Sequence, residues 1–218
     1  MTKTVGPTAA LAGIPAGIQA IGAWQGRRQL FVRFAAEAET ATMYTGDALG
    51  GELKRLAARS TYHSVSIAGR DPLANADFLG AMLEKHEAPL PVMLDHDGQR
   101  PEALATLLPR LSMVQVVMDG SEPAVTVERA AESLRLAAGR KVAHALVLCP
   151  GEQATDSQLL RLVEQAHVAS AETQVVVHPP VGVPLDRDRR WITLIERAVT
   201  THADVRLALR IPGPTGMR

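Results

Sequence analysis

The sequence predicts an α/β protein: a partial or open (β/α) barrel of about six β/α units, mostly parallel, in a single domain. Three observations predict it. Short apolar runs alternate with helical patterns along the whole chain. The strand candidates are apolar on both faces, as suits a parallel sheet covered on both sides. No linker, repeat or low-complexity tract divides the 218 residues, a length that suits one core. A doubly wound sheet is the other architecture with this rhythm.

The strands read as "QLFVRF" (29–34), "HSVSIA" (63–68), "PVMLD" (91–95), "MVQVVMD" (113–119), "AHALVLC" (143–149), "TQVVVH" (173–178) and "VRLALR" (205–210). In the first, Leu30, Val32 and Phe34 share one face while Phe31 and Arg33 share the other. Between the strands lie helical patterns at 51–60, 74–86, 100–111, 125–139, 156–167 and 188–202. The fifth puts Leu159, Leu160, Leu162, Val163 and Ala166 on one face, with Asp156 placed to cap it. Ligands gather at the C-terminal ends of strands in such folds, so the loops after Phe34, Ala68, Asp95, Asp119, Cys149 and His178 are the places for a site.

Composition narrows the function classes. Acidic and basic residues balance at 23 each, which gives no general pull toward nucleic acid or anionic membrane. The single cysteine, Cys149, excludes an intrachain disulfide framework and any cluster held by three thiolates of one chain. It ends a strand beside Pro150 and reads as a buried, inert thiol. No apolar run reaches about 18 residues, and "MTKTVGPTAALAGIPAG" lacks a sustained leader core, so a cytoplasmic location is expected.

Three segments carry a family resemblance. "GIQAIGAWQGRRQLFVRFA" (17–35), "HSVSIAGRDPLANADFL" (63–79) and "PVMLDHDGQRPEALATLLPRLSMVQVVMD" (91–119) resemble, in order and spacing, motifs of the 7-carboxy-7-deazaguanine synthases. That family is a branch of the radical S-adenosylmethionine enzymes on the route to queuosine. The resemblance spans about residues 14 to 120 and fades beyond them. It implies a partial barrel made of an N-terminal strand region (14–34), a remnant of the cluster loop (35–50) and β/α units over 51–218.

The resemblance also exposes what has changed. The family holds a 4Fe–4S cluster with CxxxCxxC; the matching positions here are Ala38, Thr42 and Thr45, or Glu37, Ala41 and Tyr44 in the other alignment. Neither set contains a thiolate. Glu37 and Glu39 could meet a hard cation, but read more simply as solvated loop carboxylates. The cosubstrate motif survives as Ala68, Gly69, Arg70, Asp71 and Pro72, with Arg70 where a residue lacking Cβ would admit the ligand. An Arg70–Asp71 ion pair is the expectation there. The third motif becomes Asp95, His96, Asp97 and Gly98, whose alternation keeps the three ionisable groups from converging on one ion.

On the substrate side the resemblance carries over Gln19, Gly22 and Arg33, while Ile21 stands at the family's Glu position. It matches Asp47 to the family's Mg²⁺ residue, and it puts the C-terminal polar motif near "RIPGPTGMR", which lacks those residues. The implied cofactor state is no cluster, with S-adenosylmethionine doubtful and Mg²⁺ open. The implied partners are a pterin- or purine-like small molecule and a second copy or paralogue in a dimer, with no nucleic acid or membrane. Two functions stay open: a cluster-less, non-catalytic relative kept for binding, assembly or regulation, or an enzyme of non-radical, metal-assisted chemistry using Asp71, Asp95, His96 or Asp97.

Overall fold

Seven of the strands lie parallel and in chain order within one sheet: β3 (Arg28–Phe34), β5 (Ser64–Gly69), β6 (Val92–His96), β7 (Met113–Met118), β8 (Ala143–Leu148), β9 (Gln174–Val177) and β10 (Val205–Leu207). The computed structural model describes residues 6–185 and 187–211. Right-handed crossovers in an order that never reverses bring every connecting helix to the same face. This is the winding of a barrel and not of a doubly wound sheet. The two ends of the sheet, β10 and β4 (Thr42–Thr45), are not paired with each other, so the barrel stays open.

Three short strands extend the sheet at its first end and escape the sequence reading. β1 (Thr8–Gly13) runs antiparallel to β3, and β4 runs antiparallel to β1. β2 (Ala16–Ile18) forms a hairpin with the start of β3. The segment 35–50, expected as loop, thus holds an edge strand at 42–45.

The helices are α1 (Gly46–Ala57), α2 (Ala76–Lys85), α3 (Pro101–Leu107), α4 (Ala124–Gly139), α5 (Asp156–Ala169) and α6 (Arg190–Ala198). α1 begins five residues before the expected start because Thr45 caps it, its side-chain oxygen accepting from Ala48 N–H at 3.2 Å. α5 is capped by Thr155 and not by Asp156: Thr155 and Gln158 form a reciprocal capping box, and Asp156 instead accepts from Arg190 Nε at 2.7 Å.

Under the helices two apolar clusters make the core. One joins Leu30, Val32, Phe34, Val65, Ile67, Val92 and Leu94 to α1–α3, and the other joins Val116, Leu146, Leu148, Val175 and Val177 to α4–α6 around Trp191. The opposite, inner face of the sheet carries a third, small cluster of Met93, Met113, Ala145 and Val147. The split of β3 into Leu30, Val32 and Phe34 on the helix side follows the alternation of the sequence.

Candidate functional site

Strand alternation fills the inner face with an unusual number of polar side chains. Gln29, Ser64, Ser66, Gln115 and His178 are all fully buried there, between apolar neighbours that face the helices. Gln29 Nε2 donates to Ser64 Oγ at 2.8 Å, and Gln115 Nε2 donates to Asp95 Oδ2 at 3.3 Å. Asp95 also meets the buried side chain of Gln19. Burial raises the Asp95 carboxyl to about 7 despite both amides, which favour its charged form.

The turn of the β2–β3 hairpin lies across this face. Gly22 N–H donates to His178 Nε2 at 2.8 Å, and Ala23 N–H donates to Gln115 Oε1 at 3.1 Å. Ile21, Ala23 and Trp24 pack on the inner apolar cluster beside Val117 and Cys149. Gly22 has φ +83°, and a Cβ there would stand 1.8 Å from Gln115 Oε1. Only glycine lets the backbone approach that closely. Because His178 Nε2 accepts, its proton sits on Nδ1, the side on which the Ala208 backbone offers it a hydrogen bond. Burial pushes the His178 imidazole down to about 4, so it is neutral near pH 7.

Of the residues carried over by resemblance, the structure brings together Gln19, Gly22 and Asp95. Arg33 stands apart: its Nη2 donates to Glu39 Oε1 at 3.0 Å, while its Nε is buried without a partner. Glu39 also accepts from Ala36 N–H, so this carboxylate is tied into the turn and is not a free loop group.

The cluster positions do not converge. Ala38, Thr42 and Thr45 are exposed; Thr42 and Thr45 sit three apart on β4, an extended separation of about 10 Å. Thr45 is already engaged as a helix cap. These residues do not fit an iron–sulfur cluster, having neither thiolates nor a common focus.

The Arg70–Asp71 pair is not formed. Asp71 takes a two-pronged contact from Arg100, with Nε and Nη2 both near 3 Å, while Arg70 is exposed. Asp71 adopts a left-handed backbone (φ 40°) and accepts from Ala74 N–H, which turns its side chain away from Arg70 and across to α3. Gly69 (φ +101°) lies against β3, where a Cβ would meet the Phe34 carbonyl oxygen at 2.5 Å. Its need for glycine is therefore met by strand packing.

Asp47 is an exposed surface group that binds Lys85 at 2.7 Å and His86 at 2.9 Å, tying α1 to the end of α2. The Lys85 hydrogen bond, then that of His86, holds it below the usual carboxylate range. The Asp-His-Asp run diverges as alternation demands. Asp95 faces inward, and Asp97 is exposed and caps Gln99 N–H at 3.0 Å. His96 is buried on the helix side and accepts from Gly98 N–H at 3.2 Å. Among the described residues no group of three or more His, Cys, Asp or Glu is placed to hold a metal.

Sequence reasoning passed over Gln115, read Glu39 as a solvated loop carboxylate where it is in fact tied to Arg33 and Ala36, and named His178 only as a strand end. A signal existed for Gln115: an amide in the middle of "MVQVVM" has to find a partner when the strand is buried on both sides. Cys149 lies on the inner face, where burial pushes its thiol up to about 11, as suits an unreactive sulfur. The segment compared with the family's C-terminal motif continues into residues 212–218, outside the described residues. No helix among the described residues is long and apolar enough to cross a membrane.

No family model and no curated protein matches this chain. Solved structures with some likeness include a D-tagatose 3-epimerase-like protein, at 12% identity over 70% of this chain and 69% of that one, with a TM-score of 0.40. Another is the 3-keto-D-glucoside 4-epimerase YcjR from E. coli, at 13% identity over 71% and 72%, with a TM-score of 0.37. At that level the open barrel is defined by this chain's own strand order.

Proposed function

We propose that this chain is a cluster-less relative of the 7-carboxy-7-deazaguanine synthases that binds a small pterin- or purine-like molecule on the inner face of its sheet without radical chemistry. The observation that carries the reading is the fate of the segment matching the cysteine loop. It holds no thiolate, and its side chains serve the fold: Thr45 caps α1 and Glu39 closes on Arg33. The polar groups on the inner face, meanwhile, exceed what packing requires.

Anaerobic reconstitution with iron and sulfide tests it. The expected result is no absorbance band at about 400 nm and no reductive cleavage of S-adenosylmethionine; about four irons per chain together with cleavage would overturn it.

One observation favours a second reading, an enzyme of non-radical acid–base chemistry. Asp95 titrates near neutrality while touching two amides, which suits a proton donor or acceptor. Of the four residues expected to serve such chemistry, it alone lies on the inner face. That reading needs the raised Asp95 titration, which the pH dependence of stability in Asp95→Asn against the parent measures.

A further inference from the structure

The hairpin turn Gln19–Arg27 behaves toward the inner face as a ligand would. Two consecutive backbone N–H groups, those of Gly22 and Ala23, are received by His178 Nε2 and Gln115 Oε1 at 2.8 and 3.1 Å. The receiving side chains are both fully buried, one just past the end of β9 and the other within β7. A third acceptor, the Asp95 carboxylate, stands beside Gln115 at 3.3 Å from its Nε2. Gln115 and Asp95 are register partners and His178 stands further along the sheet; the two acceptors that meet the consecutive N–H groups, beside the apolar Met93, Met113 and Val147, have a complement in a planar group with adjacent N–H donors.

On its inner side the turn is held by those two bonds and by Ile21, Ala23 and Trp24 on the apolar cluster; on its outer side the hold is thin. Gln25 Nε2 donates to the Ala20 carbonyl at 2.9 Å and also to the Leu209 carbonyl, and Ile211 N–H donates to Ala20 O at 3.1 Å. The segment after β10 thus latches the turn. Leu209 and Ile211 are themselves exposed, so the latch has little apolar burial behind it.

We infer that the Ala20–Gly26 turn is a displaceable plug over a binding site formed by His178, Gln115 and Asp95, which takes a planar group presenting two adjacent N–H donors, of the amidine or amino-pyrimidinone kind. The inference deepens the proposed ligand-binding role and rests on it. Its failure is nonetheless separable, because the cluster-less reading is tested by iron and sulfide alone.

The sole cysteine reports on the plug, since the half-buried Cys149 packs on the same inner cluster as Ile21, Ala23 and Trp24, beside Arg210. In the full chain, the rate at which Cys149 reacts with a chromogenic disulfide is compared with that of Gly22→Ala, whose new methyl group cannot coexist with Gln115 Oε1. The expected result is a rate at least about tenfold higher in the variant, with a cooperative thermal transition retained. Benzamidine, a planar amidine, should bind Gly22→Ala at least about tenfold more tightly than the parent by calorimetry. Adding Gln115→Leu should abolish that binding.

If Gly22→Ala does not fold, Gln25→Ala removes the side-chain half of the latch, leaving the Ile211–Ala20 bond, and carries the same expectation in direction. Equal Cys149 rates in parent and folded variant would overturn the plug. A faster Cys149 without Gln115-dependent benzamidine binding would overturn the donor-pair site.

Discussion

On the helix-covered face, Leu30, Val32, Val65, Ile67, Leu94 and Val114 pack continuously against α1–α3, and Trp191 fills the second cluster at 1% exposure. On the inner face the same strands present Gln29, Ser66, Asp95, Gln115 and His178, and several of their polar atoms have no partner. Both faces are buried, yet only one is built for packing alone. The helix side gains from apolar area removed from water. The inner side bears the cost of desolvated polar groups, a pattern that belongs to recognition more than to stability.

That contrast makes three measurements informative. The largest effect belongs to the helix side, where Trp191→Ala leaves a cavity in the second cluster and should cost about 3–5 kcal/mol in chemical denaturation. A loss under about 1 kcal/mol would mean that this cluster is not the core.

Next comes pH. His96, on the helix side, and His178, on the inner side, are both depressed to about 4 by burial, so each favours the folded state above pH 6.5 and loses that contribution as pH falls toward 4. Between pH 7 and 5 each histidine should account for about 2 kcal/mol of lost stability. Asp95 has the opposite sign. With its carboxyl raised to about 7, its contribution is fully present below pH 3.8 and is lost as pH rises through 7. In the parent the two trends partly cancel, and Asp95→Asn should steepen the fall from pH 7 to pH 5. An unchanged slope would show that Asp95 titrates in the ordinary range, and the acid–base reading would lose its support.

The smallest effect is the most specific to the inner face. Ser66 is fully buried and its hydroxyl has no partner, so Ser66→Ala should raise stability by about 1 kcal/mol. A comparable loss would mean that the hydroxyl is bonded in solution.

The sequence made the parallel half of the fold legible because each strand is a short, largely apolar run and each helix has a clear apolar stripe. The seven parallel strands and six helices of the described residues overlap the segments that periodicity marks, with ends displaced by up to five residues at α1. β1, β2 and β4 were not legible. They are three to six residues long and rich in Ala, Gly and Thr; β1 and β2 pair with β3, β4 pairs with β1, and none is marked by its own pattern. At the site, alternation correctly separated Asp95, His96 and Asp97. It could not foresee that Asp71 would turn to Arg100, because a left-handed residue changes the direction of its side chain without any mark in the sequence. Nor could it show that Gly22 faces Gln115 and His178, contacts that span 92 and 156 residues.

The stitching of the hairpin turn to the segment after β10 has a consequence for synthesis. Gln25 and Leu209 are 184 residues apart, and Ala20 meets Ile211 across a similar span. As the chain leaves the ribosome, successive β/α units can pack on their predecessors in order, each needing only the neighbour just made. The inner face has no such schedule. His178 must wait for β9 to emerge before it can receive Gly22, and the turn cannot be secured until Leu209 and Ile211 have followed. Throughout most of translation the nascent protein therefore carries a helix-covered back and an unsealed front.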